Sequence, residues 1–305
     1  MSRMTLAPSR LPVILIALLA LGPGLTDAQD QAKACGSEIR SIEVNQTTLH
    51  YFECGQGEPL IFVHGALGDL HTFRRQVQTF ATSFRVIAYS RRFFPPNAPP
   101  RETDVDPLGN HVADLRALIT QLKAPPAHLV GSSYGAYVAL ALAMDHPELV
   151  RSLVLGEPPV LPLLPPKPVG EGSQSPPLRK VFESSLEAGV RAFMDGMCGK
   201  GCFDKLPQAR RTELVEKQGP ELRSHFMDPS AAYPPLDCGN LGKLNRPTLL
   251  VTGERSAAMF LLITAELEGC LEGESHVMVP EAGHGMHADN PTFYNQTVMA
   301  FLQRR

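Results

Sequence analysis

The sequence contains no dense block of lysine and arginine. Its 28 basic residues are scattered over 305 positions and balanced by 31 acidic ones, for a formal net charge of −3. A nucleic-acid partner, which needs a concentrated basic surface, is therefore excluded from the expectations. Past residue 30 no stretch approaches the roughly 20 consecutive apolar residues needed to cross a bilayer, so no stable membrane insertion is expected of the mature chain. There is no internal repeat, which sets aside solenoids and propellers. No second Cys/His pair stands at zinc-finger spacing from Cys198 and Cys202. A metal site is thus the weaker reading of that pair, and none is expected.

What is present begins with an export signal. Arg3 and Arg10 make a basic start, Leu11 to Leu21 is an apolar run broken only by Pro12, and Gly22-Pro23-Gly24 ends it before the small residues around Ala28. This pattern predicts a signal peptide over 1–28 and a periplasmic or secreted protein. Six cysteines follow, an even number that suits disulfides in an exported chain. Cys35 and Cys54 flank a hairpin expected around Asn45-Gln46, and antiparallel pairing brings them close. Cys198 and Cys202 enclose a three-residue loop. Cys238 and Cys270 remain.

Short apolar runs then alternate with helical periodicity. Strands are expected at Pro59–Val63, Phe84–Ala88, Ala127–Gly131, Arg151–Leu155, Thr248–Val251 and His276–Val279. Helices are expected at Asp106–Leu122, Ser133–Met144 and Asn290–Leu302. This rhythm predicts an α/β fold, a mostly parallel central sheet covered by helices on both faces. The stretch 158–246 breaks it. Six prolines crowd Pro158–Pro168, and helical pieces follow near Leu178–Met194 and Ala209–Gln218. It reads as a mainly helical lid inserted between a first core part, 29–157, and a second, 247–305. Leu161, Leu163, Leu164, Phe182, Phe193, Met194 and Met197 would line it or form its core, and a lining of that kind suits an apolar acyl or alcohol part.

The chemistry sits at three points. Gly131-Ser132-Ser133-Tyr134-Gly135 is a G-x-S-x-G between an apolar strand and a helix, the context in which a sharp turn exposes a nucleophilic serine. Ser133 alone has glycine on both sides at two residues' distance. A serine hydroxyl needs a base, expected late in the chain, and His284 stands between Gly283 and Gly285 just past the last strand. His287 is the alternative. His64-Gly65-Ala66 follows the first core strand, where the N–H groups of Ala66 and Tyr134 would form an oxyanion hole. His64 itself reads as a structural support of that loop, and His111 and Asp114 as structural too.

With these motifs in this order, the chain resembles the α/β-hydrolase superfamily over about residues 40–305. The resemblance implies hydrolysis of a small-molecule ester or lactone through an acyl-enzyme, with no metal and no organic cofactor. One departure matters. Relatives commonly carry the triad Asp after the strand that here reads Thr248–Val251, and Ser256 stands in that place. The acid must then come from elsewhere: Glu157, at the end of the strand after the nucleophile's helix, is preferred, and Glu254 is the alternative. A second departure is Arg91-Arg92, where many relatives are acidic. The two could meet an anionic substrate, or more simply be solvated or bond loop carbonyls. The displaced acid also keeps open a non-catalytic binding protein on the same fold, and the same parts suit amide or carbon–carbon bond hydrolysis.

Overall fold

In the computed structural model, which describes residues 35, 38–101, 104, 108–164, 177–227 and 236–305, Asn45 and Gln46 both take positive φ (40° and 63°). Consecutive left-handed residues make the tight turn that matches strand twist. They fold β1 (Arg40–Val44) onto β2 (Thr47–Cys54), with Val44 opposite Thr47 and Arg40 opposite Tyr51. Cys35 and Cys54 are bonded across this hairpin, as expected, with Cα atoms 5.5 Å apart. The expected signal peptide and Pro165, Pro166 and Pro168 lie outside the described residues.

The other strands are β3 (Glu58–Val63), β4 (Phe84–Tyr89), β5 (Ala127–Ser132), β6 (Val150–Gly156), β7 (Thr248–Gly253) and β8 (Ser275–Val279). All eight form one sheet in the order β1-β2-β4-β3-β5-β6-β7-β8. It is antiparallel at β1, β2 and β4 and parallel from β4 through β8. The apolar runs earn their central places because both faces are covered. Ile61, Val63 and Leu129 pack into one core, and Leu60, Phe62 and Val130 into the other. This is the period-two alternation of a strand buried on both sides.

On the first face lie α2 (Leu108–Gln121), α3 (Tyr134–Asp145) and α9 (Ala258–Cys270). On the second lie α1 (Arg74–Phe80) and α11 (Pro291–Leu302). In α11, Tyr294, Val298, Phe301 and Leu302 form a stripe on one helical face. Its start is set by Pro291 at the first turn and by the Asn290 side chain, which accepts from the Phe293 N–H at 3.3 Å. α3 is buried on every side from Tyr134 to Ala143.

Between β6 and β7 the chain leaves the sheet. The described helices there are α4 (Leu178–Ser184), α5 (Leu186–Cys198), α6 (Gln208–Glu213), α7 (Gly219–Met227) and the short α8 (Cys238–Leu241). The single helix expected over 178–194 is two, because Ser185 takes an extended conformation and caps α5 by accepting from the Ala188 N–H. Phe182, Val190, Phe203, Leu214 and Leu222 give this segment its own small core, against which Ala66 and Leu67 of the β3 loop pack. α1, α7 and α9 had no counterpart among the expected elements. The last helix, α10 (Met286–Asp289), is a single turn before α11.

Disulfides also join Cys198 to Cys202 and Cys238 to Cys270. The third ties α8 to the end of α9 across 32 residues of sequence. Closing a loop of that length removes unfolded-state entropy worth about 3–4 kcal/mol. Chemical denaturation of Cys238→Ser/Cys270→Ser is expected to show a loss of that order relative to the parent, with the native far-UV spectrum retained.

Candidate active site

Ser133 occupies the single-residue step between β5 and α3 with φ 51° and ψ −125°. Such a conformation is costly for a residue with a Cβ and persists only where the surroundings enforce it. The enforcement is visible. The Ser133 N–H donates to the Gly156 carbonyl at 2.7 Å. A Cβ on Gly135 would lie 2.1 Å from the Val63 carbonyl oxygen, and one on Gly131 would lie 2.5 Å from the Ala136 Cα. The two glycines of the motif therefore let the turn close against its own helix and against the end of β3. The Ser133 side chain makes no helix-capping bond, so it is not spent as an N-cap.

His284 and Glu157 meet although 127 positions apart in sequence. His284 Nδ1 donates to Glu157 Oε2 at 2.5 Å. The other carboxylate oxygen accepts the Gly253 N–H at 2.8 Å. Glu157 is 1% exposed and, like Ser133, sits at a strand end with positive φ (47°). Its own N–H donates to the Val251 carbonyl, so β7 holds it at both ends. The Phe260 ring of α9 stacks on the imidazole, centroids 4.1 Å apart and planes 16° from parallel. Glu254, the alternative acid, points elsewhere: its Oε2 accepts the Glu281 N–H at 2.8 Å. Ser256 has a buried hydroxyl without a hydrogen-bond partner. His287, the alternative base, is buried beside Phe73 and Tyr294.

The loop after β3 rests on a buried guanidinium. Arg91 is 1% exposed. Its backbone N–H donates to His64 Nε2 at 2.9 Å, its Nε–H to the His64 carbonyl at 3.0 Å, and Nη2 to the Gly65 carbonyl at 3.3 Å. Because Nε2 of His64 accepts, the ring proton sits on Nδ1 and donates to the Gly65 carbonyl at 2.8 Å. Burial first, then the Arg91 charge, hold the His64 pKa well below the usual histidine range. The same guanidinium lies over the Phe94 and Tyr134 rings, at 4.5 and 4.9 Å. Arg92 makes a two-pronged ion pair with Asp114, at 2.7 and 2.6 Å. Neither arginine lines the cavity that holds Ser133. The expectation of solvated arginines gives way to buried ones, with bonding to loop carbonyls correct for Arg91.

Ser133, His284, Gly65 and Ala66 line one cavity of about 970 Å³. Of the seven apolar residues expected over it, Phe193, Met194 and Met197 line it. Phe182 is instead part of the segment's own core, Leu163 and Leu164 pack against the sheet's core, and Leu161 is exposed. The cavity wall also includes His287, the alternative base, and two polar residues with no sequence signal, Gln76 and Gln218. Among the described residues, no cluster of three or more His, Cys, Asp and Glu side chains is gathered as for a metal ion.

Comparison with known proteins agrees with this architecture. Residues 58–187 match the model of the alpha/beta hydrolase fold family. The chain is 30% identical over 124 residues to the uncharacterised hydrolase YraK of Bacillus subtilis, which is 41% of this chain and 46% of that protein. The match thus spans less than half of that relative. It is 26% identical over 291 residues to epoxide hydrolase 3 of Mus musculus, covering 87% of this chain and 76% of the mouse protein. Among solved structures, carboxylesterase CesB of Bacillus subtilis superposes with a TM-score of 0.67 at 20% identity, over 91% of this chain and 96% of that one. Est816, an N-acyl homoserine lactone degrading enzyme, superposes with a TM-score of 0.69 at 20% identity, over 86% and 100%. At these identities the likeness is one of fold.

Two outcomes follow from the geometry. Gly135→Ala has nowhere to place its methyl group except into the β3 backbone, so the variant is expected to lose several kcal/mol, beyond the 0.5–3 kcal/mol of a common substitution (about 1 on average), and to be recovered largely insoluble. The second concerns pH. His287 has its pKa held down to about 4, by burial first and then by His284 and Arg75. Above pH 6.5 it is neutral folded and unfolded and contributes no pH dependence. Between there and about 4 the unfolded chain takes up a proton that the folded chain refuses, so stability falls with falling pH. The loss is roughly 3 kcal/mol at about 1.4 kcal/mol per pKa unit. Urea titrations from pH 7 to pH 4 are expected to show a shallower decline for His287→Gln than for the parent.

Proposed function

We propose that the chain is a member of the alpha/beta hydrolase superfamily, whose family model matches residues 58–187, and that it is an exported serine hydrolase that cleaves carboxylic esters or lactones through an acyl-enzyme. The observation that carries the reading is the 2.5 Å bond from His284 Nδ1 to the buried Glu157 carboxylate, made at the rim of the cavity that Ser133 also lines. A carboxylate there fixes the tautomer in which Nε2 is free to accept a proton, and it stabilises the imidazolium that results.

In this mechanism Ser133 Oγ attacks the substrate carbonyl carbon as His284 Nε2 takes its proton. The negative charge that develops on the carbonyl oxygen is held by the N–H groups of Ala66 and Tyr134. His284 passes the proton to the departing alcohol, then removes one from water, which attacks the acyl carbon and releases the acid. The bond loops of Arg91 hold the His64–Gly65 turn so that the Ala66 N–H is fixed before the charge forms, which is where such donors gain most of their effect. Residues 158–246 act as the lid between the core parts 29–157 and 247–305. A serine in place of an aspartate at the elbow separates this chemistry from epoxide opening, which requires an alkylated carboxylate. Three disulfides among the described residues support export.

Hydrolysis of p-nitrophenyl butyrate by the mature chain tests the reading. Ser133→Ala is expected to be inactive and Glu157→Gln to lose about 10³–10⁴ in kcat, the scale for an acid removed from a triad. Glu254→Gln is expected to keep nearly the parent rate. Equal losses in the two glutamine variants, or none in Glu157→Gln, would count against the assigned acid. A wild type no faster than Ser133→Ala that also fails to react with a fluorophosphonate would replace an enzyme with a binding protein on the same fold.

A further inference from the structure

The wall of the cavity that holds Ser133 carries more positive than negative charge. Arg74, Arg75 and Arg210 line it against Asp69 and Glu213, three charges against two. This excess of one stands on a chain whose formal net charge is −3. The two carboxylates are already engaged. Glu213 Oε2 accepts from Arg210 Nη1 at 2.7 Å, an ion pair within α6, and Asp69 Oδ1 accepts the His71 N–H at 2.8 Å. Among the described residues, no ion pair joins Arg74 or Arg75 to an acidic side chain. Both residues are exposed as well as lining the cavity, so a ligand there can meet them directly.

Arg75 is also held in place. Its Nη1 donates to the Ala288 carbonyl at 2.8 Å, and the adjacent Gln76 Nε2 donates to the His287 carbonyl at 2.7 Å. α1 thereby grips two successive carbonyls of α10, the turn that follows His284, and Ala288 itself lines the cavity. One nitrogen of the guanidinium fixes it to the scaffold, while Nε and Nη2 are left for water or for a ligand. Its charge is felt in the wall: after burial and His284, Arg75 is the third cause that holds the His287 pKa down. The sequence pointed to Arg91-Arg92 for an anionic substrate group, and that pair lies off the cavity. Arg74-Arg75 is the arginine pair that the fold brings to it.

A guanidinium matches a carboxylate with parallel N–H···O bonds and gains more from it than from a neutral group. The excess of one positive charge suits a monoanion, and about 970 Å³ leaves room for more than a short ester. We propose that the cavity takes esters or lactones whose acyl or alcohol part carries a carboxylate, bound by Arg75 and Arg74. This deepens the hydrolase reading and rests on it. It adds a charged end to the apolar substrate part suggested by Phe193, Met194 and Met197.

Two matched pairs of esters test the proposal. One pair varies the acyl part: mono-p-nitrophenyl adipate against the p-nitrophenyl ester of adipic acid monoamide. The other varies the alcohol part: 4-butyryloxybenzoate against 4-butyryloxybenzamide. Turnover of a neutral ester that disappears in Ser133→Ala establishes the hydrolase reading separately. In at least one pair, kcat/KM is expected to be about fivefold higher for the carboxylate at low salt, the scale of one solvent-accessible ion pair. The ratio should shrink as ionic strength rises towards about 1 M. Arg75→Gln is expected to cut that ratio about fivefold and Arg75→Lys to keep most of it. Arg74→Gln, which leaves the Ala288 bond intact, should lower the ratio too, and it decides the matter if Arg75→Gln fails to fold. No preference for the carboxylate in either pair overturns the proposal. So does a loss in both arginine variants that falls equally on the charged and neutral esters. Should no ester be turned over, calorimetric titration of the whole chain with 4-butyramidobenzoate and 4-butyramidobenzamide decides. Tighter binding of the carboxylate that is lost in Arg75→Gln sustains the anion site without the enzyme. Equal binding of the two, or a difference unchanged in Arg75→Gln, overturns it.

Discussion

The Val63 carbonyl oxygen occupies the space where any side chain at position 135 would begin, and the arrangement of the site follows from that contact. β3 and β5 are parallel neighbours in the middle of the sheet. The chain passes to β4 on one side of β3 and to β5 on the other, so the loops leaving β3 and β5 part around a crevice at the strands' carboxyl ends. Ligands of open α/β sheets sit in that crevice because backbone N–H groups from both loops converge there. Here the convergence is tightened by the absence of a side chain at residue 135. The turn at Ser133 can then descend onto β3, and Gly65 can approach until a Cβ on it would lie 3.0 Å from Ser133 Cβ. The strain in Ser133 is enforced by this packing, and the local cost is distributed over a sheet core that is buried on both faces.

A second consequence is how the acid is supplied. β6 lies between β5 and β7, so a residue just past its end stands beside both the Ser133 turn and the loop that carries His284. Glu157 uses that position with the longer of the two acidic side chains. A carboxylate that is 1% exposed must be compensated, because burial without partners is costly. The Gly253 N–H and His284 Nδ1 are the compensation that the structure provides. The bond to His284 therefore does two things at once. It orients the imidazole, and it completes the solvation of a charge that would otherwise disfavour the fold. At the place after β7, where relatives carry an aspartate, the Ser256 hydroxyl is buried without a hydrogen-bond partner, and Glu254 serves the backbone at Glu281.

The sheet, the hairpin and the serine turn were legible because each is encoded locally. Four apolar residues in a row at Leu60–Val63, two turn-forming residues at Asn45-Gln46, and glycines two places either side of Ser133 each need only their neighbours to be read. Glu157 was legible more indirectly, through the absence of an aspartate near Ser256 and through its place at a strand end. Arg91 was not. Its burial depends on the His64–Gly65 turn arriving from another strand, and an Arg-Arg pair in isolation looks like solvated surface. α9 was missed for a related reason: Ala258–Cys270 is apolar on most sides, and its helical period is hidden by that uniformity. Gln76 and Gln218 left no trace at all, since each stands in an ordinary polar stretch and comes to the cavity wall only through the fold.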